Sequence, residues 1–187
     1  MKKRILPVLI AAVIFCVTLT ACSGNNATNG NVTQAGMFGA FESIDMEGNK
    51  VDYTALQGKK LTMVNVWATF CGPCVREMPD LEKISKEYAE KGLTIVGVPV
   101  DVIVNADGTY KNESLFADAQ AVIGQTGVTY LNILMSESLL DSELGQVYTV
   151  PTTYFLDENG NQIGESYVGS KSYADWCSII DEILAKM

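Results

Sequence analysis

The chain has 187 residues, with 13 Lys and Arg against 22 Asp and Glu, a formal net charge of −9, and no histidine. An acidic surface disfavours binding to nucleic acid or to anionic lipid headgroups. The lack of histidine excludes Ser-His-Asp and Cys-His catalysis within the chain, as well as His-ligated zinc or haem sites.

The N-terminal residues have the pattern of an export signal. Three basic residues at positions 2–4 precede an apolar stretch at positions 5–17, which is short for a membrane span. Small residues then lead to Cys22, and this order resembles a bacterial lipoprotein signal. We therefore predict a signal peptide at residues 1–21 and lipidation of Cys22. An ordinary secretory peptide or an uncleaved anchor are the alternatives, and each places the remaining chain outside the cytoplasm.

Residues 22–36 are predicted to form a lipidated, flexible tether, because residues 23–36 are mostly Asn, Gly, Thr, Ser and Ala and carry no charge. Residues 37–187 have the length of one compact domain. Removal of the signal would take away three basic residues and leave a net charge of −12. The lipid alone is therefore expected to hold the protein at the membrane.

The first half of the domain alternates strands with a helix. The predicted strands are residues 38–44, 50–53, 61–67 and 93–100. A polar turn at residues 45–49 joins the first two as a hairpin, and the other two are apolar enough to be buried on both faces. Residues 75–91 have helical apolar spacing and end at Gly92, so this strand-helix-strand unit predicts a parallel crossover.

The second half predicts further helices and antiparallel strands. The helices are residues 114–124, with Ser114 as the N-cap, 139–147 and 172–186; the strands are residues 130–135, 152–156 and 162–168. A hairpin turn at residues 157–161 joins the last two strands. The whole pattern predicts an α/β domain of three layers, with a mixed central sheet and helices on both faces.

Cys71 and Cys74 form the feature with the clearest chemistry. They follow the strand at residues 61–67, so Cys71 is expected at a helix N-terminus, where backbone N–H groups favour the thiolate. A structural disulfide or half of a zinc site are alternatives, but Cys177 alone cannot complete a zinc site of four cysteines. Val75 stands where a c-type haem motif needs histidine.

Several motifs resemble the thioredoxin family. Val66-Trp67-Ala68 followed by Cys71-Gly72-Pro73-Cys74 is similar to its active-site segment, and Pro79 to the proline that bends its active-site helix. Val150-Pro151-Thr152-Thr153 is similar to its cis-proline loop. The resemblance covers residues 61–187 and implies a thioredoxin-like fold.

A finer match points to the membrane-anchored ResA and TlpA group. The Cys-x-x-Glu-x-Pro pattern that begins at Cys74 is typical of this group, as are the lipoprotein signal and an added N-terminal β-hairpin. Asn65 stands where cytoplasmic thioredoxins have a buried aspartate. The stretch from residue 101 to 130 is longer and more polar than the thioredoxin core requires, and its role is left open.

The predicted catalytic residues are Cys71, Cys74 and Glu77. Cys71 attacks a partner disulfide, and Cys74 then resolves the mixed disulfide. The resemblance implies that Glu77, three residues beyond Cys74, takes part in proton handling. The alternative is a solvated glutamate that only interacts favourably with the helix dipole.

The predicted substrate contacts surround the two cysteines. They are Trp67, Gly72, Pro73, Val150 and Pro151. A cis Pro151 would place the Val150 backbone beside Cys71, whereas a trans proline starting an edge strand is the alternative. Cys177 is expected to pack as a small apolar group. No metal is predicted, and no cofactor beyond the redox-active disulfide.

These features predict a lipid-anchored, extracytoplasmic thiol-disulfide oxidoreductase that acts as a reductant. The expected electron donor is a membrane thiol transporter. By resemblance, the substrate is an oxidised exported protein, such as apocytochrome c or an oxidised repair enzyme. A disulfide-forming oxidant, a thiol peroxidase and a redox-silent lipoprotein that binds a partner or ligand are the alternatives.

Overall fold

The computed structural model describes residues 35–187. The predicted signal peptide, the lipidation site Cys22 and nearly all of the predicted tether lie outside these residues. Within the described part, the strands are β1 Glu42–Ile44, β2 Lys50–Asp52, β3 Leu61–Trp67, β4 Leu93–Pro99, β5 Leu131–Asn132, β6 Thr152–Leu156 and β7 Tyr167–Val168. The α-helices are α1 Gly72–Glu87, α2 Glu113–Thr126, α3 Glu137–Leu140 and α4 Tyr173–Leu184. No helix in residues 35–187 is long and apolar enough to cross a membrane.

The central sheet has the order β5-β4-β3-β6-β7. β4 is parallel to both β3 and β5, while β6 is antiparallel to both β3 and β7. Every residue of β3 is buried, as expected for an apolar strand between two neighbours and two covering layers. The predicted mixed sheet is therefore confirmed.

The predicted N-terminal hairpin is also confirmed, and it forms a separate sheet of β1 and β2. Its turn is held by Asp45, whose Oδ1 accepts hydrogen bonds from the backbone N–H groups of Glu47 at 3.0 Å and Asn49 at 2.8 Å. Phe38 and Phe41, just before the hairpin, are buried in the core beside Val64 and Val66. The hairpin segment thus covers one face of the central sheet.

Helices lie on both faces of this sheet. Alternate β3 side chains, Met63 and Trp67 among them, face the layer that contains α1, α2 and α4. Val64 and Val66 face a thinner layer that contains α3 and two short 3-10 helices, Tyr53–Leu56 and Glu143–Gln146. The three-layer α/β prediction is confirmed.

Several element boundaries differ from the predictions. Helix α1 begins at Gly72, because Cys71 already serves as its N-cap. The N-cap of α2 is Asn112, not Ser114, since the Asn112 side chain accepts from the N–H groups of Ser114 and Leu115. The predicted strand at residues 130–135 is reduced to β5, and beyond it Ile133 and Met135 make isolated bridges.

Two predicted elements are interrupted. The predicted helix at residues 139–147 is divided between α3 and a 3-10 helix, because Ser142 starts a new turn by accepting from the N–H of Leu144. The predicted strand at residues 162–168 is interrupted at Gly164, which adopts a φ of 67°: Gln162 makes a single bridge to Leu156, and regular pairing with β6 resumes only in β7.

The start of the described chain lies on the turn between β6 and β7. The backbone N–H of Met37 donates to the carbonyl oxygen of Gly160 at 2.9 Å. A Cβ at position 36 would lie 2.1 Å from this oxygen, so the close approach requires Gly36. This turn follows the C-terminal end of β6, beside the start of the antiparallel β3.

Candidate active site

A disulfide between Cys71 and Cys74 occupies the start of α1. Because β3 ends at Trp67 and α1 starts at Gly72, the two cysteines fall on the first turn of the helix, with Cα atoms 5.3 Å apart. The Sγ atom of Cys71 accepts a hydrogen bond from the Cys74 N–H at 3.2 Å. This backbone donor would also stabilise a Cys71 thiolate after reduction.

The two sulfurs differ in accessibility. Cys71 is 4% exposed, whereas Cys74 has no exposed surface and packs beside Met78 in the core. Gly72 and Pro73, between them, are exposed. The small exposed surface of the pair therefore belongs to Cys71, the predicted nucleophile.

The peptide bond between Val150 and Pro151 is cis, as predicted. Thr152, the next residue, pairs with Val66 near the end of β3, so the proline loop lies at the same end of the sheet as the disulfide. Val150 packs in the cluster that contains both cysteines. The sequence motif at residue 150 and the cysteine motif therefore meet in one place.

Trp67, which was predicted to contact substrate, lies below the surface in this structure. Its side chain is completely buried, because it points from β3 into the core, where Nε1 donates to Asn132 Oδ1 at 3.0 Å. Phe70 is instead the aromatic residue at the surface beside the disulfide, with 79% exposure. Trp67 still belongs to the same buried cluster as both cysteines, so its side chain is part of the core on which they pack.

Glu77 is a buried acid, 3% exposed, one helical turn after Cys74. Its Oε2 accepts hydrogen bonds from the Lys171 backbone N–H at 3.1 Å and from Trp176 Nε1 at 3.3 Å. Its Oε1 accepts from Asn65 Nδ2 at 3.0 Å. Burial raises the pKa of Glu77 above its ordinary value, although these donors and the Lys171 charge act in the opposite direction. The alternative of a solvated glutamate is therefore wrong.

Glu82 is a second buried acid on α1, farther from the disulfide. Its carboxylate accepts from the Thr129 N–H at 2.8 Å and forms an ion pair with Lys86 at 2.7 Å. Burial raises the pKa of Glu82, but the bonds to Lys86 and Thr129 outweigh burial and lower it overall. Two acids on one helix thus have opposite pKa shifts, and the raised pKa belongs to the one nearer Cys74.

Asp101 and Thr69 form a hydrogen-bonded contact, the Asp101–Thr69 clamp, that was not predicted from the sequence. Asp101 follows β4, and its Oδ2 accepts from the Thr69 N–H at 3.0 Å and from Thr69 Oγ1 at 2.6 Å. Thr69 lies two residues before Cys71, so this carboxylate fixes the loop that leads to the disulfide. Parallel strands end at the same sheet edge, so the ends of β3 and β4 carry a signal for this contact.

We expect loss of this clamp to destabilise the oxidised protein by about 1–3 kcal/mol, because hydrogen bonds to a charged carboxylate are stronger than neutral ones. Thr69→Val removes the hydroxyl, Asp101→Asn removes the charge, and Thr69→Ser keeps the hydroxyl as a control. Urea unfolding of the single and double variants measures the coupling energy. Additive effects of Thr69→Val and Asp101→Asn would show that the two residues do not act together.

The larger clefts lie away from the disulfide. One of about 680 Å³ lies between the hairpin and the loop after β4, where Glu42, Asp52 and Asp107 line it. Thiol-disulfide exchange needs access to one sulfur and not an enclosed cavity. Cys177 is partly buried on α4 and packs in a core cluster that excludes the disulfide, in agreement with its predicted apolar packing.

Comparisons with known proteins agree with this geometry. The Redoxin family matches residues 23–175 of the chain. The thioredoxin-like protein YneN of Bacillus subtilis is 35% identical over 130 residues, which cover 70% of this chain and 68% of YneN. The thiol-disulfide oxidoreductase ResA of Oceanobacillus iheyensis is 29% identical over 159 residues, which cover 85% of this chain and 76% of ResA.

A solved structure also shares the fold. The thiol:disulfide interchange protein of the thioredoxin family from Chlorobium tepidum has a TM-score of 0.63 and 24% identity to this chain. The match covers 81% of this chain and 96% of that protein. The predicted thioredoxin-like fold is confirmed.

Proposed function

Because the chain belongs to the Redoxin family and is a thiol-disulfide oxidoreductase of the ResA type, we propose that its Cys71–Cys74 pair reduces disulfides in exported proteins. The observation that carries this proposal is the position of the pair at the start of α1, where Cys71 keeps a small exposed surface, Cys74 has none, and the buried acid Glu77 follows one helical turn later. The Gly-Pro dipeptide between the cysteines also resembles reducing thioredoxins.

The reaction begins from the dithiol form. The Cys71 thiolate attacks one sulfur of the substrate disulfide, a mixed disulfide forms, and the other substrate sulfur leaves as a thiolate. Cys74 loses its proton and attacks Cys71 Sγ, which closes the observed disulfide and releases the second substrate thiolate. Two electrons pass to the substrate, and its two thiolates take up protons.

Glu77 is the proposed acceptor of the Cys74 proton. A buried thiol ionises with difficulty, so the second step needs a base within the protein. Glu77 lies on the same side of α1 as Cys74, and its raised pKa brings it closer to the range in which a carboxylate can exchange protons near neutral pH. Its hydrogen bonds to three different segments hold the carboxylate in place.

We also propose that lipidated Cys22 anchors the domain at the extracytoplasmic face of the membrane. A membrane thiol transporter would return the disulfide to the dithiol, since cytosolic thiols do not reach this compartment. Apocytochrome c and oxidised repair enzymes are the proposed classes of substrate. The basic start, apolar stretch and cysteine of the N-terminal sequence support this location.

The reduction potential of the Cys71–Cys74 pair tests the direction of electron flow. Equilibration with glutathione or dithiothreitol buffers should give a value of about −270 mV, near that of thioredoxin. A value of about −120 mV would instead identify a disulfide-forming oxidant. The absence of any redox transition would leave only a binding role.

A further inference from the structure

Glu77 must have a partner for its proton whenever it is protonated, and its surroundings restrict where this proton can lie. Oε2 faces the backbone N–H of Lys171 and the indole N–H of Trp176. Neither group can accept a hydrogen bond. A proton on Oε2 would therefore meet two donors, so the favoured site is Oε1.

Oε1 faces the side-chain amide of Asn65. In the structure this amide turns its Nδ2 group, a donor, toward Oε1. Nδ2 makes a second bond, to Thr153 Oγ1 at 3.1 Å, and Asn65 and Thr153 are cross-strand partners in β3 and β6. Oδ1, on the other side of this amide, is buried and has no hydrogen-bond partner among the described residues. The amide orientation shown is thus suited to an ionised Glu77, at the cost of leaving one acceptor unpaired.

We propose that Asn65 is a positioning residue whose amide rotates by about half a turn when Glu77 is protonated, so that Oδ1 accepts the carboxyl proton from Oε1. The two orientations have nearly the same shape, so core packing does not select between them. The rotated amide turns its NH₂ group to the side where Oδ1 has no partner, so the hydrogen bond from the Glu77 carboxyl to Oδ1 must offset two unpaired buried donors. Thr153 fits both, because its hydroxyl accepts from Nδ2 in one orientation and donates to Oδ1 in the other. This inference rests on the proposed role of Glu77 as a proton acceptor.

Few other groups near Glu77 can titrate or carry charge. Cys74 lies on α1 itself, Lys171 approaches from the loop before α4, and Tyr130 approaches from the segment before β5. The Tyr130 hydroxyl is buried, and its pKa is raised by burial and by the charges of Glu77 and Glu82. It therefore stays protonated while Glu77 titrates. In the oxidised protein Cys74 has no proton, which leaves Glu77 as the group that changes charge.

The test uses NMR of the full oxidised chain, labelled with ¹⁵N at asparagine and ¹³C at glutamate. Above the pH midpoint of the Glu77 carboxyl, we expect a strong nuclear Overhauser contact between the Asn65 amide protons and Thr153. Below this midpoint the contact should weaken several-fold. A contact that stays constant while the Glu77 carboxyl titrates would overturn the proposal.

The Glu77→Gln variant gives a second readout that needs no titration. Its carbonyl oxygen should face Lys171 and Trp176, so its NH₂ group faces Asn65 and requires an acceptor. We expect the Asn65 contact to Thr153 to be weak at every pH in this variant, while Glu82→Gln keeps the wild-type pattern. An unchanged strong contact in Glu77→Gln would also overturn the proposal.

These measurements involve no turnover, so the amide rotation and the proposed function can be contradicted separately. If Glu77→Gln reduces disulfides at the wild-type rate while the Asn65 contact follows the Glu77 charge, only the catalytic role of Glu77 is wrong. If turnover depends on Glu77 and the contact never changes, only the amide rotation is wrong.

Discussion

The Cys71→Ser variant should lose disulfide reduction by about 10³-fold or more, because it removes the attacking sulfur and Cys74, the other cysteine of the site, has no exposed surface. Cys74→Ser should behave differently. It keeps the attacking thiolate but cannot resolve the mixed disulfide, so it should stop after one attack and hold the substrate covalently. The rate of insulin reduction and the accumulation of mixed disulfide on non-reducing gels measure these two effects.

Cys177→Ser is the matched control for both variants. This third described cysteine is partly buried on α4, outside the cluster that holds the disulfide, so its loss should leave the rate unchanged. If Cys71→Ser retained activity while Cys74→Ser lost it, the order of nucleophile and resolving cysteine would be reversed. The covalent complex of Cys74→Ser also provides a direct route to the substrate.

Glu77→Gln should slow resolution of the mixed disulfide by roughly 10²-fold at neutral pH, the lower end of what a positioned general base contributes. The substitution keeps the size of the side chain and removes its ability to take a proton from Cys74. Stopped-flow measurement of the second step, with a pre-formed mixed disulfide, separates this effect from the initial attack by Cys71.

Glu82→Gln makes the same chemical change five residues farther along α1. Glu82 is also buried, but its partners are Thr129 and Lys86 rather than groups around the disulfide. We expect this control to resolve the mixed disulfide at the wild-type rate. Equal losses in the two variants would mean that the effect comes from a disturbed helix and not from proton transfer.

The same residue, Glu77, makes stability depend on pH in a defined direction. Since burial raises its pKa, the folded protein holds its proton at pH values where the unfolded chain has lost it. The contribution of Glu77 is therefore fully present below the ordinary glutamate value of 4.5 and falls as pH rises through the raised folded pKa. Urea unfolding of the oxidised wild type should show this loss relative to Glu77→Gln over that window. A constant difference would contradict the raised pKa.

The parts of the site that can be predicted from the sequence are those formed by residues that are contiguous in the chain. Cys71 to Pro79 forms one motif on one helix, and the proline loop forms another, so both are recognisable from the residues alone. The buried strand β3 is equally clear, because an uninterrupted apolar run has few alternatives. The helix starts at Gly72 because Cys71 is its N-cap. The apolar spacing of the following residues does not determine this start.

The parts that could not be predicted depend on contacts between distant residues. The buried position of Trp67 follows from the apolar strand β3, but its hydrogen bond to Asn132 depends on the neighbouring strands and has no local signal. The contact between Asp101 and Thr69 joins residues 32 positions apart; the shared edge of the parallel strands β3 and β4 brings their ends together, but no motif identifies these two residues. Likewise Asn65, Lys171 and Trp176 meet around Glu77 only after β3, α1 and α4 are packed together.

The contact between Met37 and Gly160 fixes the point at which the chain enters the described domain. It lies beside the start of β3, whereas the disulfide lies beyond the end of this strand, about 20 Å away at the rise of an extended chain. The described chain therefore enters the domain at one end of β3, and the sulfur that attacks a substrate lies past the other end. A change at Met37 or Gly160 is separated from Cys71 by the full length of this buried strand.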